Sequence, residues 1–215
     1  MSSPNPSSDP RSPVPDGESA YKDRVYRSSG GIAGGVLLLA LGGWLGIDAL
    51  VRGEGRTPWL ALAALLFVVP LVVAFTVRPA VFANEDRLRI RNPLRTITLP
   101  WAAVGSLRAG YSNEVFDQAG VKYQLWAVPV SLRGRKRAAR QQSRAAMDDP
   151  TGRTSMTAKP PRAPGDQTVE DLRELAERRG GAESAQGAPV VKWAYEILGP
   201  ALAGAVLLLV LGLIG

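Results

Sequence analysis

Cysteine and histidine are both missing from the 215 residues. Without Cys there is no disulfide frame, no thiolate nucleophile and no cysteine metal site, and cysteine usage says nothing about redox compartment. Without His the chain lacks the commonest general base and the commonest zinc ligand, and no Ser/His or Cys/His pair can form. Among the acids, Glu114, Asp117, Asp148 and Asp149 show no paired spacing suited to a metal or an acid/base site. A protein that is not an enzyme and holds no cofactor or metal is expected. Acidic charge is also short, 19 Asp and Glu against 26 Lys and Arg, for a net +7. Such a balance suits nucleic acid or an anionic lipid surface.

What is abundant is apolar sequence in blocks. The averages, 46% hydrophobic and 21% charged, resemble those of a soluble protein. The distribution does not. Residues 30–51 carry a single ionisable residue, Asp48, near the far end; 58–77 carry none; 197–215 carry none. At 1.5 Å per residue about 20 residues cross a hydrocarbon core, so these are expected as transmembrane helices 1, 2 and 3. The first run is long for a cleaved signal peptide, and no clear small-residue cleavage site follows it. The turn 52–57 makes a hairpin of the first two, Pro70 is expected to kink the second, and Trp193 and Tyr195 mark the start of the third. Residues 1–29, rich in Pro and Ser, are expected as a disordered tail.

Lys and Arg near the helix ends set the expected orientation. Lys22, Arg24 and Arg27 precede the first span and Arg78, Arg87, Arg89, Arg91 and Arg95 follow the second, against Arg52 and Arg56 in the turn. The expectation is a multi-pass protein of the cell membrane, with N-terminus and central segment cytoplasmic and C-terminus outside.

Between the second and third spans the period changes. Arg87–Arg91 alternates strictly, Leu88 and Ile90 on one face and three arginines on the other, and Thr96–Leu99 alternates again, as half-buried antiparallel strands do. Further strands are expected at 80–83, 104–109 and 123–132, with turn chemistry at Asn84–Asp86 and Asn92–Pro93. Residues 133–165, dense in Arg and Lys, are expected as a mobile basic loop, with a helix at 136–147 as an option. Thr168–Asp171 has the spacing of a capping box and opens an expected amphipathic helix over 169–179, stopped by Gly180–Gly181; a linker over 181–192 leads to the third span.

Short strands followed by one amphipathic helix describe an α+β domain, antiparallel and of the pleckstrin-homology type, spanning 79–180. The run Leu88–Asn92, the Leu99-Pro-Trp101-Ala-Ala-Val104 step, the Gln167–Leu172 helix and the Trp193-Ala-Tyr195-Glu196 step resemble actinobacterial membrane proteins with a bacterial PH domain, the low molecular weight protein antigen 6 group. The resemblance extends over the paired spans and most of the chain beyond the tail. It implies a membrane-anchored PH-like fold inserted between transmembrane helices, two before and one after, of undetermined ligand.

Several constellations admit a functional and a structural reading. Arg87, Arg89, Arg91 and Arg95 are candidates for lipid headgroups, or else the solvated outer face that any alternating strand needs. Phosphoinositide-binding PH domains carry basic residues around their first strand turn, where this chain has Asn84, Glu85 and Asp86. Arg135, Lys136 and Arg137 are further headgroup candidates; nucleic acid is disfavoured because no aromatics interleave them. Gly31, Gly35, Gly42 and Gly46 fall within roughly 60° on the first span, a packing stripe for another span of this chain or for a second copy. Asp48 is expected to reach water or pair with Arg52, and Trp101 to fill the core.

The resulting expectation is a noncatalytic membrane protein presenting a cytoplasmic PH-like domain for protein binding or membrane-surface assembly. Its partners would be the lipid bilayer and a protein, with a homo-oligomer as an option. Alternatives are a sensor of anionic headgroups and a subunit of a small transporter.

Overall fold

The computed structural model of the protein describes residues 22–148 and 162–214. In chain order the elements are β1 (Arg24–Tyr26), α1 (Ser29–Arg52), α2 (Thr57–Val72) with a π-helical continuation Val73–Val77, β2 (Ala80–Ala83), β3 (Arg87–Arg91), β4 (Arg95–Pro100), β5 (Val104–Ala109), β6 (Asn113–Asp117), β7 (Lys122–Gln124), α3 (Leu132–Asp148), α4 (Pro164–Arg179), β8 (Val190–Trp193) and α5 (Tyr195–Leu213). The expected tail over 1–20 and Tyr21, the part of the expected loop over 149–161, and Gly215 lie outside the described residues.

Three helices, Ser29–Arg52, Thr57–Val77 and Tyr195–Leu213, are long and apolar enough to cross a membrane. α1 starts where Ser28 Oγ accepts the Gly31 N–H at 3.1 Å. Pro70 lies inside α2, and the π-helical turn follows it, where Thr76 Oγ1 donates to Val72 O at 2.6 Å. α2 packs between α1 and α5. Close approach needs small residues: a Cβ on Gly35 would sit 2.0 Å from Thr76 Oγ1, and one on Gly204 would sit 2.4 Å from the Phe67 backbone nitrogen. Gly31 and Gly46 also face the second apolar helix, but Gly42 meets nothing within 4 Å, so the expected four-glycine stripe is a three-glycine one. Asp48 and Arg52 pair at 3.1 Å, one helical turn apart.

The segment between α2 and α5, joined by β1 from before α1, forms two antiparallel sheets. One has the order β1-β2-β3-β4-β8 and the other β5-β6-β7. Val81, Leu88, Ile90, Ile97 and Leu99 from the first sheet meet Leu107, Val115 and Tyr123 from the second, and α4 adds Val169, Leu172 and Leu175. Trp101 is fully buried in this core, as its place after Pro100 leads one to expect, and its Nε1–H donates to Asn84 O at 2.8 Å.

Five expectations are corrected. Arg24–Tyr26 is a strand, not tail: it pairs with β2, and Tyr26 packs on the core. Residues 190–193 are a strand, not linker, held on β4 with Val191 opposite Ile97. The strand expected over 123–132 is only Lys122–Gln124, and β6 was not anticipated at all. The helix offered as an option at 136–147 of the basic loop is present but longer, Leu132–Asp148, started by Ser131 Oγ accepting the Gly134 N–H at 2.9 Å. The capping box lies inside α4, which begins at Pro164; there Thr168 Oγ1 donates back to Pro164 O at 3.0 Å.

The turn between β3 and β4 is wedged against the apolar helices. Leu94 packs on Ala74, Ala194 and Ile197, and its carbonyl accepts the Ala194 N–H at 2.9 Å. Arg78, its side chain 12% exposed, locks the wedge: Nη1 donates to Asn92 O at 2.5 Å, and Nη2 reaches Thr96 Oγ1 at 3.5 Å and Glu196 Oε1 at 3.0 Å.

Two predictions follow from this packing. Gly204→Val forces α5 off the α2 backbone and should destabilise the helix core by about 2 kcal/mol, whereas Gly42→Ala, facing open space, should be neutral or slightly stabilising; thermal denaturation of the full chain in detergent measures both. Arg78→Leu strands buried carbonyl acceptors and should remove about 2 kcal/mol, with Arg78→Lys recovering only part because an ammonium lacks the fork. Differential scanning of the purified protein, with proteolysis at the 92–94 turn as a local readout, checks it.

Candidate functional site

The cations proposed from the sequence fall into three groups once folded. Register puts Arg87, Arg89 and Arg91 on the outer face of β3, opposite Pro100, Thr98 and Thr96 of β4. Arg89 is already engaged there. Its Nη2 lies 2.8 Å from Asp23 Oδ2, and its guanidinium stacks 4.5 Å from the Phe82 ring centre. Asp23 also accepts from Asn84 Nδ2 at 2.9 Å, so the segment before β1 is fastened to this face. Arg91 shares the Phe82 ring at 5.3 Å. Burial, then the positive charges of Arg78, Arg89 and Arg27, hold the Arg91 guanidinium below its ordinary range, while Glu196 opposes them. The end of this face nearest the apolar helices is therefore a crowded cationic site.

Arg95 does not extend that face. On β4 it shares its side with Ile97 and Leu99, and its ladder partner is Trp193. Strand alternation reverses the side with every residue, and the turn at Asn92–Leu94 puts Arg95 out of phase with Arg91.

The third group sits on α3, and the helix divides it again. Arg135 faces the domain: its Nε lies 2.8 Å from Asp166 Oδ2, and its Nη1 donates to Gly110 O at 2.8 Å. The Asp166 carboxylate raises the Arg135 pKa. Ala138 is buried beside it. Lys136 and Arg137 point away. At 100° per residue Arg133, Lys136, Arg137, Arg140 and Arg144 fall within about 100° of arc, and all five are exposed. They make no ion pair among the described residues. Of the three α3 cations singled out in sequence, two belong to this stripe and Arg135 is a structural clasp.

α3 begins close to the helix ends. Trp126, six residues before it, meets Phe75 of the π-helical turn edge-on at 5.7 Å. Residues 127–131 and 25–31 line a common cleft at the start of α1. Leu132, the first residue of α3, is exposed.

Sequence reasoning missed Arg78 as a structural hub, counting it only toward orientation, and missed Asp23 and Phe82 as the groups that occupy Arg89. Strict alternation in β3 announced its arginines but carried no sign of partners supplied from 66 residues away. Among the described residues no group of three or more Asp or Glu is placed to hold a metal.

Residues 78–153 match a family model described as Bacterial PH domain. No curated protein and no solved structure matches the chain. The match opens at Arg78 and takes in β2 to α3; α4 and β8, which complete the core and the first sheet, follow it in the chain. The chain thus carries a PH-like antiparallel β domain, similar to the bacterial PH family, inserted between two apolar helices before it and one after.

Proposed function

We propose that this is a noncatalytic integral membrane protein that presents its PH-like domain at the cytoplasmic face of the cell membrane to bind a protein partner. The observation that supports this reading is the edge of the five-stranded sheet. β8 is outermost, pairs with β4 alone among the described residues, and exposes all four of its residues, Val190, Val191, Lys192 and Trp193. An edge strand with open ladder groups and apolar side chains is a template for an added strand, in which main-chain hydrogen bonds give affinity and alternate side chains give specificity. The arginine face of β3 serves this purpose less well, since Asp23 and Phe82 occupy Arg89. Several acids of the domain are engaged with cations, as Asp166 is with Arg135 and Glu85 with Arg179.

A second reading, sensing of anionic lipid, has its own support in the α3 stripe. Its five exposed cations start beside residues that line the cleft at the foot of α1, and each cation near an anionic leaflet contributes about 1 kcal/mol.

Two measurements separate the readings. A photo-crosslinking residue at Val190 of the full-length protein in native membranes should yield a discrete protein adduct, lost when Val191→Lys is added, whereas the same probe at Gln118, in the turn between β6 and β7, should yield none. Equal adducts at both positions would refute strand addition at β8. For the second reading, amide exchange along α3 should slow at least threefold in nanodiscs containing anionic lipid relative to zwitterionic ones, and an unchanged rate sinks it.

A further inference from the structure

The wedge at Asn92–Leu94 fixes a depth: Leu94 touches Ala74 near the end of one apolar helix and Ile197 near the start of another. At that same depth a cleft of roughly 230 Å³ opens beside the wedge, lined by Phe75, Leu94, Arg95, Gln124, Trp126 and Trp193. Its three rings come from three separate elements, the π-helical turn, the loop after β7 and the end of β8, and each is about half exposed, 44%, 46% and 52% in that order. Arg95 stands across the ladder from Trp193. Its guanidinium enters none of the hydrogen bonds or ion pairs among the described residues.

An unpaired guanidinium among exposed rings is an unfinished site, and its two halves ask for different chemistry. The cation takes a phosphate, to which it can donate two parallel hydrogen bonds. The rings take carbon. A free phosphate would satisfy Arg95 and leave Phe75, Trp126 and Trp193 uncovered. An apolar chain alone would cover the rings and strand the charge. A molecule with a phosphate joined to an apolar body satisfies both, and the cleft lies where the ends of two membrane-length helices meet the domain, the level at which such molecules present their phosphates.

We propose that this cleft is a phospholipid site, in which Arg95 binds the headgroup phosphate and Phe75, Trp126 and Trp193 hold the glycerol and the first acyl carbons. It rests on the placement of the three helices in a bilayer and is independent of strand addition at β8. The α3 stripe would attract any anionic surface, whereas this cleft would hold one molecule.

Native mass spectrometry of the full-length protein, delipidated in detergent and titrated with phosphatidylglycerol, diacylglycerol of the same chains, or inorganic phosphate, tests it. One bound phosphatidylglycerol per chain is expected, held at least tenfold more tightly than diacylglycerol, with inorganic phosphate failing to compete at equal concentration. Arg95→Gln and Trp126→Ala should each lower that occupancy at least fivefold, and Arg108→Gln, on β5 of the other sheet, should leave it unchanged. Equal retention of phospholipid and diacylglycerol by the wild-type protein overturns the proposal, and needs no variant to fold; so does displacement by inorganic phosphate, or occupancy unaltered in both cleft variants. Failure of the bilayer placement itself would show separately, as release of the protein from membranes by alkaline carbonate.

Discussion

One guanidinium holds the two halves of this molecule together. Arg78 follows the second apolar helix directly, so it emerges where the chain must turn from helix into sheet. The β3–β4 turn arrives at the same point with the carbonyls of Asn92 and Pro93 unmatched by any strand, and Glu196 stands in the first turn of the third apolar helix. Only a planar, five-donor group reaches all of these at once. Glu196 is suited to its place in addition, since a carboxylate near a helix N-terminus meets the positive end of the dipole. With this joint closed, the turn sits at a fixed depth between α2 and α5, and the domain is held at both ends.

The fixed joint explains why the arginines, similar in sequence, have different fates. Arg89 lies far enough along β3 to be covered by the segment before β1. Arg91 lies next to the joint and shares its positive charge with Arg78. Arg95 lies just past the turn, out of phase, and points among aromatic rings. Composition alone treats all of these as one basic surface. The pleat and the turn divide them.

How much was legible in the sequence follows the same physics. β3 and β4 were visible because their inward positions are Leu and Ile and their outward ones polar. β6 alternates equally well, but two of its three buried positions are Asn113, whose Nδ2 donates to Val128 O, and Asp117, which accepts from the Val121 N–H and the Tyr123 hydroxyl, so no apolar period exists to see. β8 was hidden for the opposite reason: all four residues are exposed, and its strand state comes from hydrogen bonds to β4 rather than from burial. α3 buries Ala138 and is fastened by Arg135, a pattern that looks like loop in a run of arginines. Which of the headgroup candidates have protein partners depended on contacts between distant segments, as between Arg89 and Asp23.

Clamping the domain between helices also changes what its surfaces need to achieve. A free PH-like domain must reach a membrane by its own affinity. With the three apolar helices in a bilayer, as proposed, the chain supplies that proximity, and an effective concentration in the millimolar range makes weak sites sufficient. The edge of β8 has only four residues and the cleft at Arg95 only one guanidinium, and each would be marginal on a diffusing domain. Both lie next to the joint, β8 running straight into α5 and Arg95 one residue past the wedge. The proposed sites therefore occupy the region whose position Arg78 fixes most firmly, and the energy that orders them is already supplied by folding.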